Sequence, residues 1–124
     1  MTDTTSPTDE MSTAVTITIT DEAWETLWGH PRLLATYVLL LRQAAKDGHP
    51  LSAYVFDLAN ELGIGRSTLT GHVSDLVDLG LVERKSQYEN PHTGEVSSEY
   101  NERLGFYWRA GNIYIITDMT EGEQ

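Results

Sequence analysis

The chain has no cysteine, which excludes disulfides and zinc–thiolate sites and fits a cytoplasmic setting. No run approaches the roughly 18 apolar residues that a membrane-spanning helix needs, so no membrane contact is expected. The first residues lack the basic start and apolar middle of a signal peptide. Basic residues are scarce: eight Lys and Arg stand against nineteen Asp and Glu, a formal net charge of −11. The four histidines, His30, His49, His72 and His92, show no metal-ligand spacing, and three of them adjoin prolines. No Ser/His/Asp arrangement has a supporting motif. Gly63-Ile64-Gly65-Arg66-Ser67-Thr68 lacks the first glycine and the lysine of a phosphate-binding loop. No cofactor, metal or enzymatic activity is therefore expected.

What is present is enough for one domain. At 124 residues with 40% apolar content the chain can build one core, but not two. The acidity sits mostly at the ends. Residues 1–22 hold Asp3, Asp9, Glu10, Asp21 and Glu22, and residues 118–124 add Asp118, Glu121 and Glu123, all without a Lys or Arg nearby. Between them, eleven acids face all eight bases, a net of only −3. Small polar residues and Pro7 mark 1–12 as a disordered tail. The domain is expected over 13–117, with 118–124 as a second, acidic tail.

Val15, Ile17 and Ile19 alternate with Thr16, Thr18 and Thr20, the pattern of a half-buried strand. Thr20 or Asp21 can cap a following helix that carries Trp24, Leu27 and Trp28 on one side. His30-Pro31 interrupts it, since the residue before a proline avoids helix and a proline suits a first turn. From Arg32 to Lys46 a broad apolar stripe of Leu33, Tyr37, Leu40, Leu41 and Ala44 predicts a central helix ending at Gly48. A second helix is expected from Ser52 through Val55, Phe56, Ala59 and Leu62.

The densest signal lies in Leu58–Arg84. Ala59 is small where two helices would cross, and Gly63 supplies a turn between them. Leu69, Val73 and Leu76 then follow helical spacing over about 67–79. This leaves Arg66, Ser67, Thr68, Thr70, His72 and Ser74 outward. Such side chains bind phosphates and base edges; equally, they make a solvated face with Ser67 as a cap. Gly80 ends the helix and Leu81–Lys85 reads as a strand. Asn90-Pro91-His92-Thr93-Gly94 makes a hairpin tip, with a return from Val96 to about Leu104. Phe106–Arg109, a turn at Ala110-Gly111-Asn112, and Ile113–Thr117 read as a further hairpin. Its aromatics are expected in the core, and its isoleucines are expected to pair with Val15–Thr20 in the same chain or across a dimer.

Ala59 with Gly63, then Ser67-Thr68-Leu69, His72-Val73 and Leu76, then Gly80-Leu81-Val82-Glu83-Arg84, and finally Gly94, Ser98 and Tyr100 form one ordered set. On these residues, 31–104 resembles the winged helix-turn-helix domains of bacterial, phage and plasmid regulators and replication initiators. The resemblance implies an α+β fold with a three-helix core and a β-hairpin wing, here with an N-terminal strand and an extra C-terminal hairpin. It also implies reading of double-stranded DNA by a transcriptional regulator or initiator-like factor of a mobile element. The DNA-contacting residues would be Arg66, Ser67, Thr68, Thr70, His72, Ser74, Arg84 and Lys85. A homodimer would place two recognition helices roughly 34 Å apart in successive major grooves.

Two departures pull the other way. Gly71 stands where such proteins often carry Arg, and the wing, 87–101, holds Glu89, Glu95 and Glu99 with no basic residue. An acidic wing repels phosphate. The competing expectation is a protein-interaction module, an adaptor or DNA mimic that docks a basic protein partner.

Overall fold

The computed structural model describes residues 14–119. The expected tail at 1–12, and 120–124 of the C-terminal one, lie outside the described residues. The elements are α1 (Asp21–Leu27), α2 (Pro31–Asp47), β1 (Leu51–Ala53), α3 (Val55–Leu62), α4 (Arg66–Asp78), β2 (Val82–Glu89), β3 (Val96–Ser97) and β4 (Trp108–Ile116), then a 3-10 turn at Thr117–Met119. These residues form an α+β arrangement of four helices and a four-stranded antiparallel sheet ordered β1-β4-β2-β3.

Local chemistry sets the helix ends. Thr20 caps α1, its hydroxyl accepting from the Ala23 N–H at 3.2 Å, and Asp21 and Glu22 in the first turn favour the positive end of the helix dipole. Pro31 opens α2, which buries Tyr37, Leu40, Leu41 and Ala44 and touches α1, α3, α4, β1 and β4. The expected central helix is thus present, and each buried leucine along it stabilises the fold by roughly 1.5–3 kcal/mol. Both α3 and α4 end on the same device. Gly63 (φ +71°) closes α3 while Ile64 N–H reaches back to the Ala59 carbonyl at 3.1 Å. Gly80 (φ +80°) closes α4 while Leu81 N–H reaches the Leu76 carbonyl at 3.1 Å. In each, a left-handed glycine frees the next amide to satisfy a carbonyl of the last turn.

Several expectations need correction. Val15–Thr20 keeps its alternation, the threonines exposed and Val15, Ile17 and Ile19 half-buried, but it belongs to no strand. It cannot pair with the isoleucines of β4, because β4 is flanked by β1 on one edge and β2 on the other. Ser52 does not begin a helix. Leu51–Ala53 is an edge strand, Leu51 buried and paired with Tyr114, and α3 starts only after Tyr54.

The C-terminal hairpin is in fact one strand. Gly111 (φ +90°) is not a turn residue but part of a bulge. Pairing passes from Ser86↔Asn112 to Tyr88↔Arg109, so β4 spends one residue more than β2. A Cβ on Gly111 would stand 2.8 Å from the Ala53 carbonyl oxygen, so glycine lets β1 close on β4. The aromatics before it are not core: Trp108 is 57% exposed and Tyr107 38%.

The hairpin tip is where expected, with Asn90 Oδ1 accepting from the amides of His92 (2.8 Å) and Thr93 (3.2 Å). Its return is far shorter than the sequence implies. Only Val96–Ser97 pairs with β2, and residues 98–107 are irregular apart from one bridge, Asn101↔Phe106. Finally, Asp118 is not a tail residue. It is 5% exposed, and its carboxylate accepts from Thr20 N–H at 3.0 Å and Thr20 Oγ1 at 2.9 Å.

Candidate nucleic-acid interface

α3 and α4 meet at the 63–65 turn, with Ala59, Leu69, Val73 and Leu76 buried between the helices and the rest of the core. α4 begins after Gly65, which offers no side-chain cap. Its first-turn N–H groups therefore have no capping acceptor, and they point along the helix axis as a weak anion site. Ser67 lies inside this turn, so its expected capping role is not realised.

Helical spacing divides the expected contact residues among three faces. Ser67 and Gly71 stand opposite the buried Leu69–Val73–Leu76 stripe, together with the exposed Asp78. Arg66, Thr70 and Ser74 follow one flank, toward the sheet. There Arg84 Nη2 donates to Ser74 Oγ at 3.2 Å. Thr68 and His72 follow the other flank. They line a cleft with Arg32, Thr36, Leu62 and Ile64. His72 is half-buried with its Nδ1 buried and without a hydrogen-bond partner, so it sits to the side of the helix's outermost face.

The sheet-side flank gathers positive charge. Arg66 and Arg109 line one cleft with Tyr54, Val55, Phe56 and Gly111. The Arg66 guanidinium lies 5.9 Å from the Phe56 ring centroid, and that of Arg109 lies 5.9 Å from the Tyr88 centroid. Arg109 Nη2 donates to Asn112 Oδ1 at 2.6 Å, and Asn112 Nδ2 donates to the Tyr114 hydroxyl at 3.2 Å. Burial pushes the Tyr114 hydroxyl above the ordinary tyrosine range. The Asn112 hydrogen bond and the charges of Arg84 and Arg109 pull the other way. Both guanidiniums thus act on one buried hydroxyl of β4.

Lys85 does not join them. It alternates with Arg84 along β2, is exposed, and shares the face opposite Arg84 with Glu83, 4.0 Å away. Among the described residues that pair is the only salt bridge. Arg66, Arg84 and Arg109 consequently have no acidic partner among the described residues. Arg109 escapes the sequence reading because a turn at Ala110–Asn112 would send it elsewhere. A single strand through Gly111 is what brings it beside Tyr88. Arg32 escapes too, since nothing in its helical pattern reveals that α2 starts beside the His72 flank of α4.

Chemically, the guanidiniums of Arg66, Arg84 and Arg109, the Thr70 and Ser74 hydroxyls and an uncapped helix start can hold phosphate oxygens. Among the described residues no group of three or more His, Asp or Glu side chains is placed to hold a metal ion. None of their helices is long and apolar enough to cross a membrane. Comparison of the chain with protein-family models, with curated proteins and with solved structures returned no match.

Proposed function

We propose that this chain is a winged helix-turn-helix protein that binds duplex DNA as a regulator or initiator-like factor of a mobile element, without catalysis. In this reading α3 and α4 are the helix pair, α4 enters the major groove, and β2, β3 and the start of β4 form the wing. The observation that carries it is the set Arg66, Arg84 and Arg109. In a chain with nineteen acids, these three guanidiniums flank one side of α4 without a carboxylate partner among the described residues. Ion pairing would be their cheapest local use; leaving them unpaired at a groove suits an external anion.

A second reading has its own support. The last turns of α4 expose Asp75 and Asp78, and the wing carries Glu89, Glu95 and Glu99. A basic protein partner would fit that surface, with the winged fold acting as an adaptor or DNA mimic. Fluorescence anisotropy with mixed-sequence duplex DNA at low salt separates the two. The DNA reading expects binding that weakens steeply as salt rises and is weaker, with a shallower salt slope, in Arg66→Ala. Absence of binding at low salt would leave the interaction module.

A further inference from the structure

Residues 14–20 show the alternating burial of an extended backbone, yet they pair with no strand. Ile17 and Ile19 pack on the core, while Thr16 and Thr18 are exposed. Thr20 uses both its backbone groups within the chain: its N–H goes to Asp118, and its carbonyl accepts from Trp24 N–H at 2.9 Å. No backbone hydrogen bond among the described residues engages residues 14–19. In an extended chain the N–H and C=O of alternate residues point to opposite edges. The edge shared by Thr16, Thr18 and Thr20 therefore faces the chain's own cleft, which Thr16, Ile17 and Thr18 line with Leu41, Ala45, Asp118 and Met119. The edge of Val15, Ile17 and Ile19 faces away, its amides and carbonyls without a partner among the described residues.

We infer that this free edge pairs antiparallel with the same edge of a second copy of the chain, about a two-fold axis through Ile17. The sequence is self-complementary in that register. Val15 faces Ile19, Ile17 faces Ile17 and Thr16 faces Thr18, so apolar residues meet on the core side and threonines on the outer side. The three hydrogen-bonded pairs, Val15 with Ile19 counted twice and Ile17 with itself, form about six backbone hydrogen bonds. None of them asks for the Thr20 groups already committed.

Charge does not oppose a second copy at this edge. A chain of net charge −11 repels itself over most of its surface, but Met11–Thr20 is uncharged in sequence. In this register Asp21 and Glu22 lie outside the ribbon. A ribbon of this length is marginal alone. Trp24 and Trp28, 41% and 66% exposed with ring centroids 5.7 Å apart, add exposed apolar surface on the adjoining α1. This inference does not depend on DNA binding.

The outward Thr16–Thr18 pairs make it testable without disturbing the core. They are non-hydrogen-bonded pairs, in which facing side chains are closest. The full chain, the double variant Thr16→Asp with Thr18→Asp, and the double variant Thr16→Lys with Thr18→Asp are compared by sedimentation velocity from low micromolar to sub-millimolar protein. Thermal melts check that each folds. The wild type and the Lys/Asp variant are expected to dimerise. The Asp/Asp variant sets like charges opposite each other twice and is expected to dimerise at least about tenfold more weakly. A wild type that stays monomeric, or an Asp/Asp variant that dimerises as well as the wild type, would overturn the inference. So would a folded Lys/Asp variant as weak as the Asp/Asp one.

Discussion

Arg84 Nη2 donates to Ser74 Oγ across 3.2 Å, tying the strand after the helix pair to the exposed flank of α4. The bond holds a long, otherwise mobile side chain in place, which would lower the entropic cost of the phosphate contact proposed for it. Arg84→Ala should therefore weaken binding to all duplex sequences alike and lower the salt slope by about one. Ser74→Ala keeps the charge and should cost less affinity. Arg84→Lys keeps the charge but loses the planar fork, and should fall between them. Anisotropy titrations of the three variants give the order.

Gly71 is exposed within α4, and a Cβ there would meet nothing within 4 Å. Replacing it by Ala should stabilise the protein by about 1 kcal/mol through helix propensity alone, read from urea unfolding. Gly71→Arg should also tighten duplex binding several-fold and steepen the salt slope by about one, if α4 lies against phosphate. An arginine there that stabilises the fold without changing DNA affinity would argue that this face meets something else.

The helix pair is legible in the sequence because its signals are local. A glycine four residues after Ala59, the Leu69–Val73–Leu76 spacing and Gly80 each act within one or two turns of chain. The sheet is less legible because its pairings are long-range. Gly111 reads as a turn by composition, and only the proximity of Ala53 reveals it as a bulge. Leu51–Ala53 is too short to show alternation. Asp118 looks like one more tail acid until Thr20, 98 residues earlier, is seen to donate to it. The candidate site divides the same way. Arg66 and Ser74 follow from helical spacing, whereas Arg109 depends on how β4 runs, and Lys85 is turned away by strand alternation.

Asp118 joins the start of α1 to the end of the chain's last described turn. Asp118→Ala should destabilise the protein by about 2–3 kcal/mol, since two hydrogen bonds to a buried carboxylate are lost. A truncation before residue 118, where the charge pattern alone would draw a tail, should cost a similar amount. Ending the chain after Met119 keeps the bond. Urea unfolding of the three proteins tests this.

The Tyr37 hydroxyl is buried close to Asp118 without a hydrogen bond of good geometry. Burial first, and then the charge of Asp118, raise its pKa above the ordinary tyrosine range. The folded state thus holds this proton more tightly than the unfolded chain, whose tyrosines titrate near about pH 10. The stability linked to it is complete below that pH and lost as pH rises toward the folded value. Tyr37→Phe should change stability at neutral pH by no more than about 1 kcal/mol. It should also lose less stability than the wild type between about pH 9 and 11, by denaturant unfolding across that range.

On the proposed reading, Arg66, Arg84 and Arg109 grip the backbone of duplex DNA beside α4. Its most direct test is the dependence of duplex affinity on salt, measured for the wild type and for the triple variant Arg66→Ala, Arg84→Ala, Arg109→Ala. Three lost phosphate contacts should reduce the slope of log affinity against log salt by about 2–3, with overall affinity falling at low salt. A triple variant with the wild-type slope and affinity, or a wild type that binds no duplex at low salt, would exclude this grip on DNA.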